Sequence, residues 1–243
     1  EMQRSLVGSE MCIRDRSETN HTMKETIFIS GIDTDAGKSY CTGWLAKQMM
    51  ENGRSVITQK FIQTGNVGQS EDIELHRQIM GTGMLPEDEA HLTAPIIFTY
   101  PASAQLAARI DGREIDLNVI DRSTAELLKN HDTVLIEGAG GLMVPITDDF
   151  MAIDYVASRN LPLILVTNSR LGSINHTILS LEAIKSRGIR LHSVLYNTYF
   201  DNDPEISRDT RAYIKRYVSR HFPGTPVTDV PCICLLYTSP SPR

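Results

Sequence analysis

The stretch GIDTDAGKSY, Gly31–Tyr40, decides the fold of this chain. A phosphate-binding loop normally places four residues between its first glycine and the Gly-Lys-Ser/Thr that follows. Here five residues separate the first glycine from Gly37. The apolar run before the loop (26–30) predicts a strand, and the residues after it (38–52) predict a helix. Because that is the context in which such a loop binds phosphate, we interpret it as a phosphate-binding loop with one additional residue.

The parts of this loop have distinct roles in binding a nucleotide. Glycines let the backbone approach phosphate oxygens, and free N–H groups at the helix start bind them. Lys38 would add positive charge at the terminal phosphates, and the Ser39 hydroxyl would reach a Mg²⁺ ion. The alternative is an ordinary glycine turn followed by a solvated lysine. A chance match to this pattern in a chain of this length has odds of about one in a hundred, which favours the phosphate loop.

Apolar strand-like runs alternate with amphipathic helical patterns along the chain. Several of these strands are apolar almost throughout, as strands are when helices cover both faces of a sheet. The alternation predicts an α/β fold, a single-domain parallel sheet flanked by helices, of the P-loop NTPase type. The predicted strands are 26–30, 55–61, 133–137, 161–167, 191–197 and a last piece at 225–230, and the predicted helices are 38–52, 70–80, 117–130, 174–187 and 204–221.

Both ends of the chain stand apart from this pattern. LVGSEMCIRD (6–15) and CLLYTSPSPR (234–243) can be encoded by opposite strands of a single oligonucleotide that resembles a library adapter. We therefore predict that residues 1–22 and 232–243 are non-native flanks. Residues 23–231 are then the native domain, and its C-terminus is expected to be truncated.

Composition narrows the class of function. A net charge of −6 without a basic cluster argues against nucleic acid as the main partner. No apolar run approaches the length of a membrane span, and no signal peptide follows Met23. Only Cys41 lies securely in the native part, which fits a reducing cytoplasm, and we interpret it as a small buried helix residue. The Cys232-x-Cys234 pair belongs to the flank and its junction, so we do not interpret it as a metal or redox site.

The acid at the end of the third predicted strand is a candidate partner for the loop. Glu137 ends the strand TVLIE and is followed by Gly138, Ala139 and Gly140. Ligands of parallel sheets lie beyond the C-terminal ends of the strands, so this carboxylate is placed to bind Mg²⁺. The small residues after it let the backbone approach phosphates. Taken alone, Glu137 could instead cap a turn.

Two further polar residues follow the second predicted strand. Lys60 ends that strand, with Thr64 just beyond it, and Asp72 opens the next helix. A single lysine at a strand end is usually a solvated edge residue, and an acid in a first helical turn commonly offsets the helix dipole. Composition alone therefore leaves both roles open.

Together these residues resemble the dethiobiotin synthase family. The loop of that family has the form Gly-x-Asp-Thr-x-x-Gly-Lys-Thr, again with five residues between the glycines, and GIDTDAGKS matches it except that Ser39 replaces the last threonine. Phe61 also departs from the family, many of whose members have proline after the second-strand lysine. Four further motifs match in the order of the family: KFIQTG (60–65), EGAGG (137–141) with Pro145 downstream, LGSINH (171–176) and Asn197.

The resemblance implies an ATP- and Mg²⁺-dependent ring closure. In that reaction, 7,8-diaminononanoate and CO₂ or bicarbonate give dethiobiotin, with conversion of ATP to ADP and phosphate. One amine first forms a carbamate, whose oxygen attacks the γ-phosphate to form a carbamic-phosphoric anhydride. The second amine then closes the ring as phosphate leaves. The resemblance also implies a cytoplasmic homodimer with its site at the interface, and no membrane partner.

The resemblance further implies roles for individual residues. Lys38 and Lys60 would be catalytic, and Thr34 would help to orient the reacting groups. Nucleotide binding is implied for Asp35, Ala36, Gly37, Lys38, Ser39, Tyr40, Asp72, Glu137, Gly138, Ala139, Gly140 and Asn197. Substrate binding is implied for Lys60, Thr64, Ser173, Ile174 and Asn175, of which Asn175 could also cap its helix. Metal binding is implied for Ser39, Asp72 and Glu137. A segment just past Pro231 would help to wall the base pocket.

Two other classes of protein also carry a phosphate-binding loop of this kind. A related P-loop ligase of the cobyrinic acid amidation type would need a glutamine-hydrolysing domain and a catalytic cysteine, neither of which the sequence contains. A nucleotide-switch ATPase of the partitioning class carries an additional lysine near the start of its loop, where this sequence has Ile32 and Asp33.

The remaining residues with metal-binding or aromatic side chains suggest no further site. Five histidines show no ligand spacing, and we interpret them as surface or core residues: His76, His91, His131, His192 and His221. The single tryptophan, Trp44, falls in the first predicted helix and is interpreted as a packing residue.

Overall fold

The computed structural model describes residues 24–232. The predicted flank 1–22, with Cys12, lies outside that range, as does the predicted flank 232–243, with Cys234, apart from its first residue, Cys232. The strands are β1 (Glu25–Gly31), β2 (Val56–Lys60), β3 (Gln63–Thr64), β4 (Ile97–Phe98), β5 (Thr133–Gly141), β6 (Leu163–Asn168), β7 (Leu191–Asn197) and β8 (Val227–Val230). The helices are α1 (Lys38–Glu51), α2 (Glu71–Met80), α3 (Pro86–Glu89), α4 (Ala104–Ile110), α5 (Leu117–Asn130), α6 (Ala152–Ser158), α7 (Ser173–Ser186) and α8 (Pro204–His221), with 3₁₀ turns at Thr34–Ala36 and Thr198–Phe200.

Six of the strands form one parallel sheet in the order β2-β5-β1-β6-β7-β8. β1 pairs with β5 on one side and β6 on the other, so that Ile29 lies between Glu137 and Ile164. The chain order of the strands reverses at β1, and ligands of open α/β sheets bind in the crevice at such a point. The phosphate loop leaves β1 there.

Helices cover both faces of this sheet. Successive side chains of a strand point to opposite faces, and on β1 Ile27 and Ile29 join one apolar cluster while Phe28 joins the other. The first cluster lies under α1 and the end of α2, and the second lies under α4 to α8. Burial on both faces explains why these strands are apolar along their whole length, and it confirms the predicted parallel α/β class.

The predicted elements are confirmed with end shifts of a few residues, and the structure adds several that the sequence did not predict. These are the short helices α3, α4 and α6 and a second, two-stranded sheet of β3 and β4. The third predicted strand continues beyond Glu137 to Gly141, where it pairs with Gly31. It therefore carries the glycine run alongside the start of the phosphate loop.

An aromatic cluster anchors the end of β2 beneath the site. Phe61 is fully buried, with its ring centroid 5.4 Å from that of Phe28 and 4.7 Å from that of Tyr155. Edge and tilted contacts of this kind are favourable arrangements of aromatic rings. Because Phe61 is directed into the core, the residue before it, Lys60, is held at a fixed position. Phe61, at the position where many members of the resembling family have proline, therefore anchors the end of β2 in the core.

The two packing predictions for α1 are confirmed. Cys41 is fully buried, and burial raises the pKa of its thiol far above the ordinary value, so the reactive thiolate is disfavoured. Trp44 is half-buried against the same apolar cluster. Within residues 24–232, no helix combines the length and apolar character needed to cross a membrane.

Candidate active site

The phosphate loop is shaped by a cap at its start and a glycine at its end. The Asp33 carboxylate accepts a hydrogen bond from the Thr34 backbone N–H (2.6 Å), which begins the 3₁₀ turn that holds the additional residue. Gly37 has φ = 86°, and a Cβ built on it would lie 2.1 Å from Nδ2 of Asn197. Both the backbone conformation and the space therefore require glycine. Asn197 Nδ2 donates to the Ala36 carbonyl (3.2 Å), which ties the loop to the end of β7.

Lys38 lies folded back along this loop. Its Nζ donates to the carbonyls of Asp33 (2.9 Å) and Thr34 (3.0 Å), and the residue is only 4% exposed. Burial lowers the pKa of Lys38 to about 8, although the charge of Glu137 opposes that shift. The alternative of a solvated lysine after a glycine turn is therefore wrong. A bound phosphate would supply the negative charge that this ammonium lacks.

Residues from four separate segments meet in front of the loop. Ser39 Oγ lies within hydrogen-bond distance of Asp72 Oδ1 (2.7 Å) and Glu137 Oε1 (2.8 Å), and its single proton can be donated to either of them. Lys60 Nζ lies 2.5 Å from Asp72 Oδ2 and 2.8 Å from Glu137 Oε1. The solvated-edge interpretation of Lys60 is wrong, because only 5% of its side chain is exposed. Asp72 does stand in the first turn of α2, but it also forms part of this cluster.

The charges of the cluster stabilise one another. Burial alone would raise the pKa of Glu137, but Lys60 and then His76 hold the pKa of that carboxyl far below its ordinary value. Burial alone would likewise lower the pKa of Lys60, but Glu137 and Asp72 raise it above its ordinary value. Both groups are therefore charged at neutral pH, and because both side chains are almost closed to water their charges act strongly on a ligand.

His76 completes the cluster from behind, and the sequence interpretation missed its role. Its Nε2 lies 2.7 Å from Glu137 Oε2, and its Nδ1 lies 3.0 Å from Thr58 Oγ1. Prediction as a core residue is confirmed, since the side chain is fully buried. A signal was present: His76 follows Asp72 by four residues, which places both on one face of a helix.

A cavity of about 500 Å³ lies in front of the phosphate loop, at the C-terminal end of β1. Most of the predicted site residues are brought together there: Thr34, Asp35, Gly37, Lys38, Ser39, Tyr40, Lys60, Thr64, Asp72, Glu137, Ala139 and Gly140. Ala36 and Gly138 do not line this cavity. Ala36 is buried within the loop, and Gly138 is near the cluster because its carbonyl lies 3.4 Å from Lys60 Nζ. The cavity thus joins a phosphate loop, two lysines and two carboxylates.

Comparison with known proteins shows what kind of enzyme carries this site. Residues 25–232 match the family model described as an AAA domain. ATP-dependent dethiobiotin synthetase BioD 2 of Pasteurella multocida is 46% identical over 203 residues, covering 84% of this chain and 95% of that protein. ATP-dependent dethiobiotin synthetase BioD 2 of Haemophilus influenzae is 52% identical over 181 residues, covering 74% of this chain and 95% of that protein. The chain belongs to the dethiobiotin synthetase family.

Membership in the dethiobiotin synthetase family makes the chain an ATP-dependent ligase of biotin biosynthesis. ATP-dependent dethiobiotin synthetase BioD of Chlorobaculum tepidum supports the same assignment, with 48% identity over 207 residues, 85% of this chain and 87% of that protein. Among solved structures, the putative plasmid partition protein of Borrelia burgdorferi B31 bound to AMPPNP aligns with a TM-score of 0.53, covering 87% of this chain and 88% of that chain. At 9% identity this likeness shows the shared P-loop NTPase fold alone.

One group of residues predicted from the dethiobiotin synthetase resemblance lies outside the cavity. Ser173, Ile174 and Asn175 begin α7, and none of them is among the described residues that line the cavity. Ser173 is buried and Asn175 is exposed. Gly172 occupies the N-cap position, so the capping role considered for Asn175 is wrong.

The cluster offers three oxygen ligands of the kind that Mg²⁺ prefers. The hydroxyl of Ser39 lies within hydrogen-bond distance of two carboxylate oxygens, Asp72 Oδ1 and Glu137 Oε1. A hydroxyl and two carboxylates suit a hard cation that also binds phosphate oxygens and water. The part of the chain that the structure describes contains no group of three or more His, Cys, Asp or Glu side chains arranged for a metal. The chemistry of this donor set, one hydroxyl and two carboxylates, fits a hard cation.

Proposed function

We propose that this chain closes a cyclic urea on 7,8-diaminononanoate with CO₂ and ATP, giving dethiobiotin, ADP and phosphate. The proposal depends above all on one observation. Lys60, from a strand that is not part of the phosphate loop, is buried in the same cluster as the residues of that loop. A nucleotide hydrolase needs the loop lysine, but a second buried lysine suits an enzyme that must also stabilise an anionic carbon group.

The chemistry of ring closure explains the need for both lysines. A carbamate and the γ-phosphate must meet, so negative charge accumulates in one place before the ring closes. Lys38 would hold the terminal phosphates, and Lys60 would stabilise the carbamate and the charge that develops as its oxygen attacks phosphorus. Thr34, at the start of the 3₁₀ turn, would orient the reacting groups. Fixed positive groups that need no rearrangement are the main source of catalysis in phosphoryl transfer.

Ser39, Asp72 and Glu137 would hold Mg²⁺ when the nucleotide is bound. The ion supplies neutralisation of the charge on the β- and γ-phosphates. Lys60 Nζ lies beside both carboxylates, so the lysine and the ligands of the ion share one charge-balanced cluster. Backbone groups of residues 35–40 and 138–140 would contact the phosphates.

Asn197 is proposed to bind the nucleotide base. Its amide nitrogen uses one N–H on the Ala36 carbonyl, and its oxygen accepts one bond from the Tyr199 N–H (3.1 Å). One N–H and one lone pair remain for a base edge. Tyr40 OH donates to the Pro231 carbonyl (2.9 Å), so the chain after β8 approaches the same side of the loop.

We further propose that the diamine extends from Thr64 toward the start of α7 of a second subunit. Within one chain, Ser173, Ile174 and Asn175 do not reach the cavity, which is consistent with a site completed by a homodimer. Three large apolar side chains near this region are more than half exposed: Met143 (52%), Leu179 (62%) and Leu171 (95%). Cover by a partner would remove this apolar surface from water.

A cytoplasmic location is proposed from the unpaired, buried Cys41.

A direct assay tests the proposed reaction. The protein is incubated with 7,8-diaminononanoate, bicarbonate, Mg²⁺ and ATP, and dethiobiotin is measured by mass spectrometry. Reactions that lack one component each are the controls. Formation of ADP without dethiobiotin in the complete mixture would contradict the proposed ligase reaction and favour a simple nucleotide hydrolase.

Replacement of Glu137 by glutamine is expected to raise the Mg²⁺ requirement and to lower the rate by about 10²-fold or more. Glutamine keeps the shape of the side chain but removes one of the two negative charges proposed to bind the ion. The measurement is dethiobiotin formation as a function of Mg²⁺ concentration. Glu126→Gln is the matched control, because it makes the same change at an exposed carboxylate on α5. If the Mg²⁺ curves of Glu137→Gln and the unmodified protein coincide, Glu137 has only a structural role.

A further inference from the structure

The two oxygens of the Glu137 carboxylate have different partners. Oε1 faces the cavity, where it accepts from Ser39 Oγ and Lys60 Nζ. Oε2 is turned away from them and lies 2.7 Å from Nε2 of His76. Glu137 and His76 are both fully buried, so water does not replace this contact. The imidazole of His76 is therefore hydrogen-bonded to Oε2, the carboxylate oxygen that does not face the cavity.

Hydrogen-bond accounting shows that Nε2 of His76 carries a proton. A carboxylate only accepts, so Nε2 of His76 must donate to Glu137. Nδ1 lies 3.0 Å from Thr58 Oγ1, and that hydroxyl oxygen already accepts from Arg77 Nη1 (2.8 Å). The Thr58 hydroxyl has one proton and a second lone pair, so it can pair with Nδ1 either as donor or as acceptor. Glu137 and Thr58 therefore orient the ring from both sides, with the Nε2–H directed at Glu137.

A second buried ion pair, Arg77 with Asp88, holds Thr58, which is the partner of the ring. Arg77 donates through Nε and Nη2 to the two oxygens of Asp88, both at 2.9 Å. Two parallel bonds fix the guanidinium plane, which also contacts Thr58. Asp88 accepts a further bond from Thr93 Oγ1 (2.7 Å). A rigid chain of contacts therefore runs from α3 through Arg77 and Thr58 to His76.

We infer that His76 is a positioning residue that fixes the Glu137 carboxylate with Oε1 turned toward the Mg²⁺ site. This inference rests on the metal-dependent function proposed above. Without the donor at Oε2, the carboxylate is free to rotate and to turn both oxygens toward Ser39 and Lys60. Outer partners of metal-binding carboxylates typically change metal affinity by about 10–100-fold when removed.

Two substitutions at one position separate the hydrogen bond from the packing. His76→Leu fills much of the space but donates nothing, whereas the amide of His76→Gln can donate near the former position of Nε2. The readout is ADP binding by calorimetry over a range of Mg²⁺ concentrations, which needs no turnover. We expect His76→Leu to raise the half-maximal Mg²⁺ concentration by about 10–100-fold and His76→Gln by less than about threefold. ADP affinity measured in EDTA is expected to stay the same in both.

Controls make each outcome decisive. Thr124→Val removes a buried hydrogen bond, to Gln59 Oε1, that lies outside this network, and it should leave the Mg²⁺ curve unchanged. Coinciding curves for His76→Leu and the unmodified protein, or equal shifts for the two His76 variants, would overturn the positioning role. Should His76→Leu fail to fold by thermal unfolding, His76→Met tests the same point, because its flexible side chain fills the space and offers no N–H donor to Glu137. An unchanged Mg²⁺ curve in that variant would also overturn the inference.

The same experiment distinguishes this inference from the function on which it rests. If ADP binding by the unmodified protein does not depend on Mg²⁺, the proposed metal site fails and the role of His76 fails with it. If the unmodified protein depends on Mg²⁺ and the His76 variants follow the same curve, only the role of His76 fails.

Discussion

Replacement of Lys38 by alanine is expected to lower the rate of dethiobiotin formation by about 10³-fold or more while leaving the fold intact. In phosphoryl transfer, the protein contributes mainly by positioning the phosphates and stabilising their charge. Lys38 is the cationic side chain of the phosphate loop, and its ammonium is held against the loop by two carbonyls. A phosphate that enters the cavity would offer a stronger partner than either carbonyl, since an ionised acceptor strengthens a hydrogen bond.

The measurement combines product formation with thermal unfolding. Lys47→Ala is the matched control, because Lys47 stands on the same helix but does not line the cavity. We expect both variants to unfold cooperatively and only Lys38→Ala to lose activity. Near-normal turnover by a folded Lys38→Ala protein would remove the basis for assigning this loop to phosphate binding.

Replacement of Lys60 by alanine is expected to separate nucleotide binding from ring closure. Loss of a preorganised charge at the reacting centre lowers the rate by about 10²–10³-fold. Lys60 belongs to β2 and not to the phosphate loop, so ATP should still bind with modestly changed affinity. Removal of the ammonium also leaves Asp72 and Glu137 less neutralised. The Mg²⁺ requirement should therefore stay the same or fall, in contrast to the rise expected for Glu137→Gln.

Lys60→Arg tests whether charge alone is sufficient. A planar guanidinium does not replace a compact ammonium, and Lys60 Nζ is enclosed by Asp72, Glu137 and the Gly138 carbonyl. We therefore expect poor rescue. The experiment is ATP binding by calorimetry beside product formation for the unmodified protein and both variants. Dethiobiotin formation by Lys60→Ala at the unmodified rate would contradict the carbamate role.

The parts of this molecule that the sequence predicted are those with a local pattern. The phosphate loop lies between a strand and a helix within a short stretch, so its spacing alone indicated its conformation. The long helices α5 and α8 show amphipathic patterns over several turns. The central strands were predicted because burial on both faces makes them continuously apolar.

The parts that the sequence did not predict depend on contacts between distant residues or on short segments. Helices α4 and α6 have seven residues each, too few for a periodic pattern to be distinguished from loop sequence. The contact of His76 with Glu137 joins residues 61 positions apart, and no spacing rule connects them. The burial of Lys60 likewise depends on distant residues, because its Nζ is enclosed by Asp72, Glu137 and the Gly138 carbonyl. The fold therefore follows from local patterns, whereas the arrangement of the site follows from the sheet.

The order of strands in the sheet also affects how the chain folds while the ribosome synthesises it. β1 leaves the ribosome roughly a hundred residues before β5, and β6 follows later still. At about 5–20 residues per second, this strand waits on the order of ten seconds for its first hydrogen-bonded neighbour. The bond from Asn197 to the loop forms only after β7 has been made. The phosphate loop, the first segment of the site to be translated, is thus among the last to acquire its final shape.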